Sequence, residues 1–403
     1  MSAVTPIYLD HAASTPLAPE VISAMHAVLS DPALCANPSS TGHVAGRRAA
    51  ALVARARAQI AGVVGAAPAQ VIFTSGATES DNLAVLGVAR GSAWRGRHVV
   101  SSKTEHRAVL DALDRLEHEG FSVTRLDPGP LGRITPDALA DALREDTVLV
   151  SLMHVNNETG AINDIAALGA VCRQAGVPLH VDAAQSVGKL PLDLQSLAVD
   201  LLSINAHKVN GPKGVGALVL SPAARRRIEP LLFGGGQEGA LRPGTLATHQ
   251  VVGMAEALVL AAQRREREYR RLQGLRLAFW EALAAAGGVI CNSPLDEHGS
   301  PWILNVSFEG VVGESLRLAL EGVAVSGGSA CNSASGEGSY VLRSLGRSDL
   351  LAESALRFSF GRDTDEGLLA RATVDVFAAL RRLRPIAPAE GAPAVVHRPG
   401  ASG

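Results

Sequence analysis

The sequence has few cysteines and no long uncharged apolar run, and each shortage excludes a class of protein. The four cysteines, Cys35, Cys172, Cys291 and Cys331, are far apart and form no CxxC pair. Neither a zinc knuckle nor a disulfide framework is therefore expected. No stretch reaches the roughly 18 apolar residues of a spanning helix, and the N-terminal region is too interrupted by charge to be a signal peptide. We expect a soluble, cytoplasmic protein without a membrane partner.

The chain also lacks an excess of charge of either sign. Its 37 basic and 39 acidic side chains give a formal net charge of −2. Such a balance provides no general attraction for nucleic acid, so direct nucleic-acid binding is not predicted. The 403 residues, 47% of them hydrophobic, are enough for two to three domains with a sizeable core.

Lysine is scarce beside arginine. Only four of the 37 basic residues are lysines, namely Lys103, Lys189, Lys208 and Lys213. Arginine stays protonated in proteins, whereas a buried lysine can lose its proton and bond covalently to an aldehyde. A lysine in such an arginine-rich chain is a candidate for chemistry that a guanidinium cannot perform.

Helical and strand-like patterns alternate over residues 43–260. Most of the predicted strands are apolar or β-branched throughout, which is typical of strands buried on both faces. They span residues 71–74, 98–101, 121–125, 148–155, 178–181, 199–204 and 215–220. The alternation predicts an α/β fold with a mainly parallel, doubly wound sheet that binds its ligand at the carboxyl ends of the strands.

Beyond Gly244 the pattern changes. A long charged helix is predicted to about residue 286, and its Arg-Arg-Glu-Arg-Glu run is typical of a solvated helix face. Strands at 303–308 and 355–360 and helices at 314–320 and 365–383 follow. They predict a second, smaller α+β unit.

Polar clusters follow five of the predicted strands. They occupy residues 75–79, 104–106, 156–158, 182–185 and 205–208. Phosphate is the first ligand to consider, because residues 75–78 open a helix whose free N–H groups and dipole attract anions. No GxxxxGK[ST] motif occurs and no GxGxxG follows the first strand, so the nucleotide fingerprints are missing.

The residue types in these clusters suggest pyridoxal 5′-phosphate (PLP). Lys208 is a candidate for the covalent bond, His106 offers a ring, and Asp182 offers a carboxylate that would keep the pyridine nitrogen protonated. Opposite charges in contact interact by about 4 kcal/mol at an effective dielectric near 20. Lys213 is a rival for Lys208, although its tight turn is expected to point it to solvent.

Six motifs, in order between residues 7 and 361, resemble those of cysteine desulfurases, most closely the IscS/NifS-like branch. They are YLDHAASTP at 8–16, TSGATESDN at 74–82, KTEH at 103–106, HVNNE at 154–158, HVD at 180–182 and SACNS at 329–333. The resemblance implies a class V aminotransferase of the PLP-dependent fold type I, similar to aspartate aminotransferase. That fold has a large domain with a mainly parallel sheet and a smaller α+β domain.

The same resemblance suggests domain boundaries. Residues 1–15 would join the small domain, 16–258 would form the large PLP-binding domain, and 259–384 the small domain with a mobile cysteine loop. The tail, 385–403, is rich in Pro, Ala and Gly without periodicity and is predicted to be disordered.

The resemblance also implies roles for individual residues. Lys208 would bind PLP covalently, His106 would stack on its ring and move protons, and Asp182 would pair with the pyridine nitrogen. Gln185 would contact the phenolic oxygen of PLP. Asn157 and Arg357 would bind the substrate carboxylate, and Asn157 would also contact the cofactor. The phosphate would be surrounded by Ala77, Thr78, Asn205 and His207. Thr245 would reach the phosphate of a neighbouring subunit, which implies a homodimer.

Cys331 decides the reaction that the resemblance implies. It lies among small polar residues at 326–339, a composition unsuited to packing a core. Its thiol would take sulfur from L-cysteine, leaving L-alanine and a persulfide for an iron–sulfur scaffold or a tRNA- or cofactor-thiolation enzyme. No resident metal is expected, although Cys331 could contact an iron–sulfur cluster transiently. The alternatives are another class V aminotransferase, a selenocysteine lyase, or a non-catalytic assembly subunit with this fold.

Overall fold

The computed structural model describes residues 6–327 and 338–384. In that part of the chain the largest sheet has seven strands, flanked by helices on both faces. Its strands are β2 (Val71–Thr74), β3 (His98–Ser102), β4 (Ser122–Leu126), β5 (Thr147–Met153), β6 (Leu179–Asp182), β7 (Leu201–Asn205) and β8 (Gly216–Leu220). The helices before and between them are α1 (Pro19–Leu29), α2 (Val44–Val63), α3 (Ala77–Gly91), α4 (Arg107–His118), α5 (Pro136–Ala142) and α6 (Ile165–Ala175), and the short α7 (Pro222–Arg225) follows β8.

The strand order is β2-β8-β7-β6-β5-β3-β4. Strand β8 runs antiparallel to both of its neighbours, and the remaining pairs are parallel. The predicted α/β class with a mainly parallel sheet is confirmed. The predicted strand over 148–155 ends earlier, at Met153, because Val155 leaves the ladder and makes only an isolated bridge with Ile162.

A second, antiparallel sheet has the order β12-β10-β9. It comprises β9 (Val289–Cys291), β10 (Ile303–Phe308) and β12 (Ala355–Ser359). The N-terminal β1 (Ile7–Tyr8) pairs in parallel with β11 (Val323–Ala324) beside it. The accompanying helices are α8 (Thr248–Ala284), α9 (Gly313–Ala319), α10 (Tyr340–Ser344), α11 (Asp349–Glu353) and α12 (Glu366–Leu383).

Helix α8 connects two hydrophobic cores. Val251 and Leu258, in its first part, pack with the seven-stranded sheet, whereas Leu272 and Phe279, farther along, pack with the second sheet. The helix therefore runs without a break across the boundary predicted at 258/259. The domain boundaries stay predictions, and both Cys331 and the 385–403 tail lie outside the described residues. Within the described ranges no helix is long and apolar enough to span a membrane.

Candidate active site

A cavity of about 450 Å³ lies at the carboxyl ends of the large sheet. Its size is within the usual range of small-molecule sites. It brings together nine of the predicted site residues, namely Ala77, Thr78, His106, Asn157, Asp182, Asn205, His207, Lys208 and Arg357. Residues that are distant in sequence meet here because parallel strands end at one edge.

The anion-binding end of the cavity is the start of helix α3. Gly76 caps this helix, and Ala77 and Thr78 form its first turn, where backbone N–H groups lack helical partners. Gly216 of β8 lies directly beneath, because a Cβ there would be 2.7 Å from both Gly76 Cα and the Ile204 oxygen. The helix can take this position only because residue 216 has no side chain.

Lysines lie on more than one side of this cavity. Lys208 follows β7 and lines the wall, and Lys213 lines it too, although its side chain is exposed. The predicted exposure of Lys213 is confirmed, and the structure adds that this residue also borders the cavity. The turn folds back over the cavity because β7 and β8 are adjacent antiparallel strands.

His106 is the N-cap of helix α4. Its Nδ1 accepts a hydrogen bond from the Ala108 backbone N–H at 3.1 Å. Burial, and then the charge of Lys208, lower the pKa of His106. The neutral ring consequently carries its proton on Nε2, and it gains a second proton only if the bond from Ala108 breaks.

Asp182 is the last residue of β6 and is 7% exposed. Its Oδ1 accepts a hydrogen bond from Ala184 N at 2.8 Å. Asp81 also lines the cavity, and burial, followed by the charge of Asp182, raises the pKa of Asp81 well above its usual value. The surroundings of Asp81 therefore disfavour its ionised form.

His180 lies behind this carboxylate pair. Its ring nitrogens hydrogen-bond the hydroxyls of Ser151 and Ser203 at 2.8 and 2.9 Å. Burial lowers its pKa to about 4, so it is an uncharged core histidine with both ring nitrogens hydrogen-bonded.

Arg357 of β12 enters the cavity from the second sheet and is only 2% exposed. It donates hydrogen bonds to the Asn157 carbonyl oxygen at 2.7 Å and to Asp10 Oδ1 at 2.8 Å. Sequence reasoning missed this role of Asp10, although the residue lies inside the motif at 8–16. No sequence signal pointed to this contact, because Asp10 and Arg357 are 347 residues apart.

Three predicted site residues are not on this cavity's wall. Gln185 Nε2 donates a hydrogen bond to the Ala12 carbonyl at 2.8 Å, next to the lining. Thr245 is exposed and accepts a hydrogen bond from Asn37 Nδ2 at 3.3 Å in a separate depression. Cys331 falls outside the described residues.

The polar atoms around the cavity fit PLP. Among the described residues, the Oδ1 of buried Asn157 and both amide atoms of buried Asn205 have no hydrogen-bond partner. Buried polar atoms normally have one, so these point to a polar ligand. A helix N-terminus for phosphate, a carboxylate at Asp182 and an amine at Lys208 match the groups of this cofactor.

Gly216→Ala is expected to weaken PLP binding by about tenfold or more. The added methyl group must displace the α3 N-terminus, and overpacking of this kind costs about 1–3 kcal/mol. The affinity is measured by titrating the apoprotein with PLP. Gly62→Ala, at an exposed position of helix α2 where a Cβ meets nothing within 4 Å, is the matched control and should bind normally. Equal affinities in both variants would contradict the proposed position of the phosphate.

The chain is similar in sequence and in structure to known proteins. Residues 7–368 match the aminotransferase class-V family. The cysteine desulfurase IscS of Photorhabdus laumondii subsp. laumondii is 51% identical over 383 residues, 95% of each chain. A solved NifS-like protein superposes with a TM-score of 0.87 at 31% identity, covering 94% of this chain and all of its own. SspA in complex with cysteine gives 0.75 at 34%, covering 88% and 98%.

Proposed function

Because this chain belongs to the aminotransferase class-V family, and within it to the cysteine desulfurases, we propose that it converts L-cysteine to L-alanine and stores the sulfur as a persulfide on Cys331. The observation that carries the proposal is the convergence of Lys208, Asp182 and His106 on one cavity at a helix N-terminus. Two similarities support it: the 51% identity to a curated cysteine desulfurase and the likeness to a solved protein in complex with cysteine.

PLP, when bound, supplies an electron sink for the substrate. Lys208 would hold it covalently, and Asp182 would keep its ring nitrogen protonated. Ala77, Thr78, Asn205 and His207 would hold the phosphate, with burial and then Lys208 lowering the pKa of His207 to about 4, so that this imidazole is neutral. Gln185 is assigned to the phenolic oxygen and Thr245 to a partner subunit's phosphate.

Arg357 and Asn157 would orient the substrate by its carboxylate. A guanidinium offers paired donors that suit a carboxylate. Asp10 already accepts one of these donors at 2.8 Å, so it keeps the guanidinium in position before substrate arrives. The substrate carboxylate would then bind a guanidinium that is already in position, in a buried site where electrostatic interactions are stronger than in water.

His106 and Lys208 would assist proton transfer at the reacting carbon. The Lys208 amine, which lines the cavity, would accept and return the proton at the reacting carbon. Because Nδ1 accepts the Ala108 N–H, a neutral His106 would donate from Nε2, which suits a ring that stabilises developing negative charge rather than one that removes a proton.

Cys331 would perform the sulfur transfer. Its thiolate attacks the substrate sulfur, the S–S bond forms, and the substrate C–S bond breaks with its electron pair remaining on carbon. Protonation of that carbon yields alanine, so that cysteine and an enzyme thiol give alanine and an enzyme persulfide. A free thiol with a pKa near 8.5 is only a few per cent ionised at neutral pH, so the reaction needs a nearby positive charge.

The decisive test is the mass of the peptide that contains Cys331 after incubation with L-cysteine. We expect an increase of one sulfur atom, together with stoichiometric alanine. Cys331→Ser should show neither, while its absorbance with PLP stays normal, because the cofactor contacts proposed above do not use the thiol. Transfer of the amino group to a 2-oxo acid that survives in Cys331→Ser would instead favour an aminotransferase, and surviving alanine formation from L-selenocysteine would favour a selenocysteine lyase.

A chain that binds no PLP and forms no persulfide would be an assembly subunit. The proposal also includes a homodimer, a sulfur-acceptor protein, delivery of sulfur to iron–sulfur clusters or to tRNA thiolation, and a cytoplasmic location. Each follows from the family likeness alone. Measuring the oligomeric state and persulfide transfer to candidate acceptors would test them separately.

A further inference from the structure

The chain on either side of Cys331 is attached to residues that border the active-site cavity. Ser326 precedes Cys331 in the sequence and Ser339 follows it, and the structure describes both serines. The proposed function gives Cys331 the attack on the substrate sulfur, but it names no residue that helps to bring the thiol there. The side-chain contacts of the two flanking ends identify such residues.

The end that precedes Cys331 is attached beside Arg357. The backbone N–H of Ser326 donates to the Arg357 carbonyl oxygen at 3.3 Å, and the Arg357 N–H donates to the Ser326 carbonyl oxygen at 2.7 Å. The Ser326 hydroxyl donates to Asp10 Oδ1 at 2.9 Å, and the same oxygen accepts a hydrogen bond from Arg357. This end therefore lies next to the guanidinium proposed to bind the substrate carboxylate.

The end that follows Cys331 is attached beside Asn157. Ser339 is the N-cap of helix α10 and is 4% exposed. Its Oγ accepts a hydrogen bond from Leu342 N at 3.1 Å and donates one to Glu158 Oε2 at 2.5 Å. Glu158 is fully buried and directly follows Asn157 in the chain. Capping uses only the acceptor function of a serine, so the bond to Glu158 is additional to the cap.

Tyr340 attaches the same end beside His106. Its hydroxyl donates to the Glu105 carbonyl oxygen at 2.6 Å, and the Arg107 guanidinium lies 5.0 Å from the centroid of its ring. Glu105 and Arg107 are the two chain neighbours of His106. Two consecutive side chains thus connect the end that follows Cys331 to the segments that contribute Asn157 and His106 to the cavity.

We propose that Ser339 and Tyr340 are positioning residues, which bind Glu158 and Glu105 and so fix the point at which the chain returns from Cys331. The inference rests on the proposed function, in which the Cys331 thiol must reach a substrate in the cavity. Fixing the ends of a connecting segment limits the volume that its residues can sample. The effective concentration of a reactive group within that segment rises as a result.

The turn that contains Asn157 has other contacts that hold its backbone. Asn156 Oδ1 accepts the backbone N–H groups of Glu158 and Thr159, both at 2.9 Å. Removing the Ser339 hydroxyl leaves these hydrogen bonds in place. We therefore expect the binding of L-cysteine to persist when its sulfur transfer is slowed.

The test measures single-turnover persulfide formation on Cys331 in the PLP-loaded full-length protein. Ser339→Ala should slow this step by about tenfold or more, the order of magnitude for the loss of one buried hydrogen bond. The L-cysteine concentration that produces half of the visible spectral change should stay at the wild-type value. Ser339→Thr keeps the hydroxyl and should restore the wild-type rate. Tyr340→Phe removes only the bond to the Glu105 carbonyl and should also slow the step.

Ser348→Ala is the matched control. Ser348 caps α11, another five-residue helix, by accepting a hydrogen bond from Leu351 N at 3.4 Å, and among the described residues its hydroxyl donates to no carboxylate. This variant should lose a cap, as Ser339→Ala does, yet form the persulfide at the wild-type rate.

A wild-type rate in Ser339→Ala, or a loss of L-cysteine affinity as large as the loss of rate, would overturn the positioning role. Persulfide formation by the wild-type protein would still uphold the proposed function in that case. A wild-type protein that forms no persulfide would overturn both. If Ser339→Ala does not fold, the comparison of Tyr340→Phe with Ser348→Ala decides.

Discussion

Replacing Lys208 by arginine is expected to reduce kcat/KM for L-cysteine by at least about 10⁴-fold while the protein stays folded. Arginine keeps a positive charge at the cavity wall but cannot form the covalent bond to an aldehyde. Lys208 also supplies the proposed base, and proton transfer alone contributes about 10²–10⁴-fold in enzymes. Alanine formation and borohydride trapping of PLP, followed by peptide mass analysis, measure the two losses separately.

Two further lysines make this experiment specific. Lys103→Arg, an exposed substitution beside Asp127, should leave activity and trapping unchanged. Lys213 lines the same cavity as Lys208, so it is the alternative lysine for the covalent bond if the assignment to Lys208 is wrong. A borohydride label on Lys213, or on no lysine, would contradict the proposed chemistry.

Asp182→Asn is expected to lower kcat/KM by about 10³-fold with little change in stability. An amide oxygen can still accept the hydrogen bond from Ala184 N, so the substitution removes mainly the charge. A charge pair worth about 4 kcal/mol corresponds to about a thousandfold in rate when it is lost from the reacting state. Steady-state kinetics and the visible spectrum of the PLP-loaded variant measure the effect.

Asp81 is the residue that could weaken this effect. It lies on the same cavity wall, and its pKa is raised mainly by burial and then by the charge of Asp182. Asp182→Asn removes that repulsion, so Asp81 would ionise more readily. Activity within tenfold of the wild-type value would show that a charge other than that of Asp182 maintains the electron sink. Asp127→Asn, at an exposed aspartate, is the control and should leave activity unchanged.

The strands and the helix at the phosphate end could be predicted closely because their signals are local. The strand at Val71–Thr74 and the strand at Ile303–Phe308 have the predicted bounds. The sequence analysis places the start of this helix within residues 75–78, and helix α3 begins at Ala77. The position of the start matters, because the first turn of the helix provides the free N–H groups.

The lysines show the limit of such reasoning. The scarcity of lysine marked all four as candidates, and the motifs selected Lys208. The placement of Lys213 on the cavity wall, and of Lys189 with Lys208 on the wall of a separate cavity, depends on how the turns after β7 and β6 fold back over the sheet. The surroundings of a turn residue depend on which strands lie next to the turn in the sheet. The local amino-acid composition does not specify that arrangement.

By itself, the sequence determined the α/β class, the order of the elements, and the polar residues that follow five of the strands, because buried strands and helix starts carry periodic and compositional signals. Only the tertiary structure decided which side chains meet. Arg357 reaches Asn157 across 200 residues and Asp10 across 347. Contacts of that range arise when one sheet packs against the edge of another, and no local pattern specifies the distance between them.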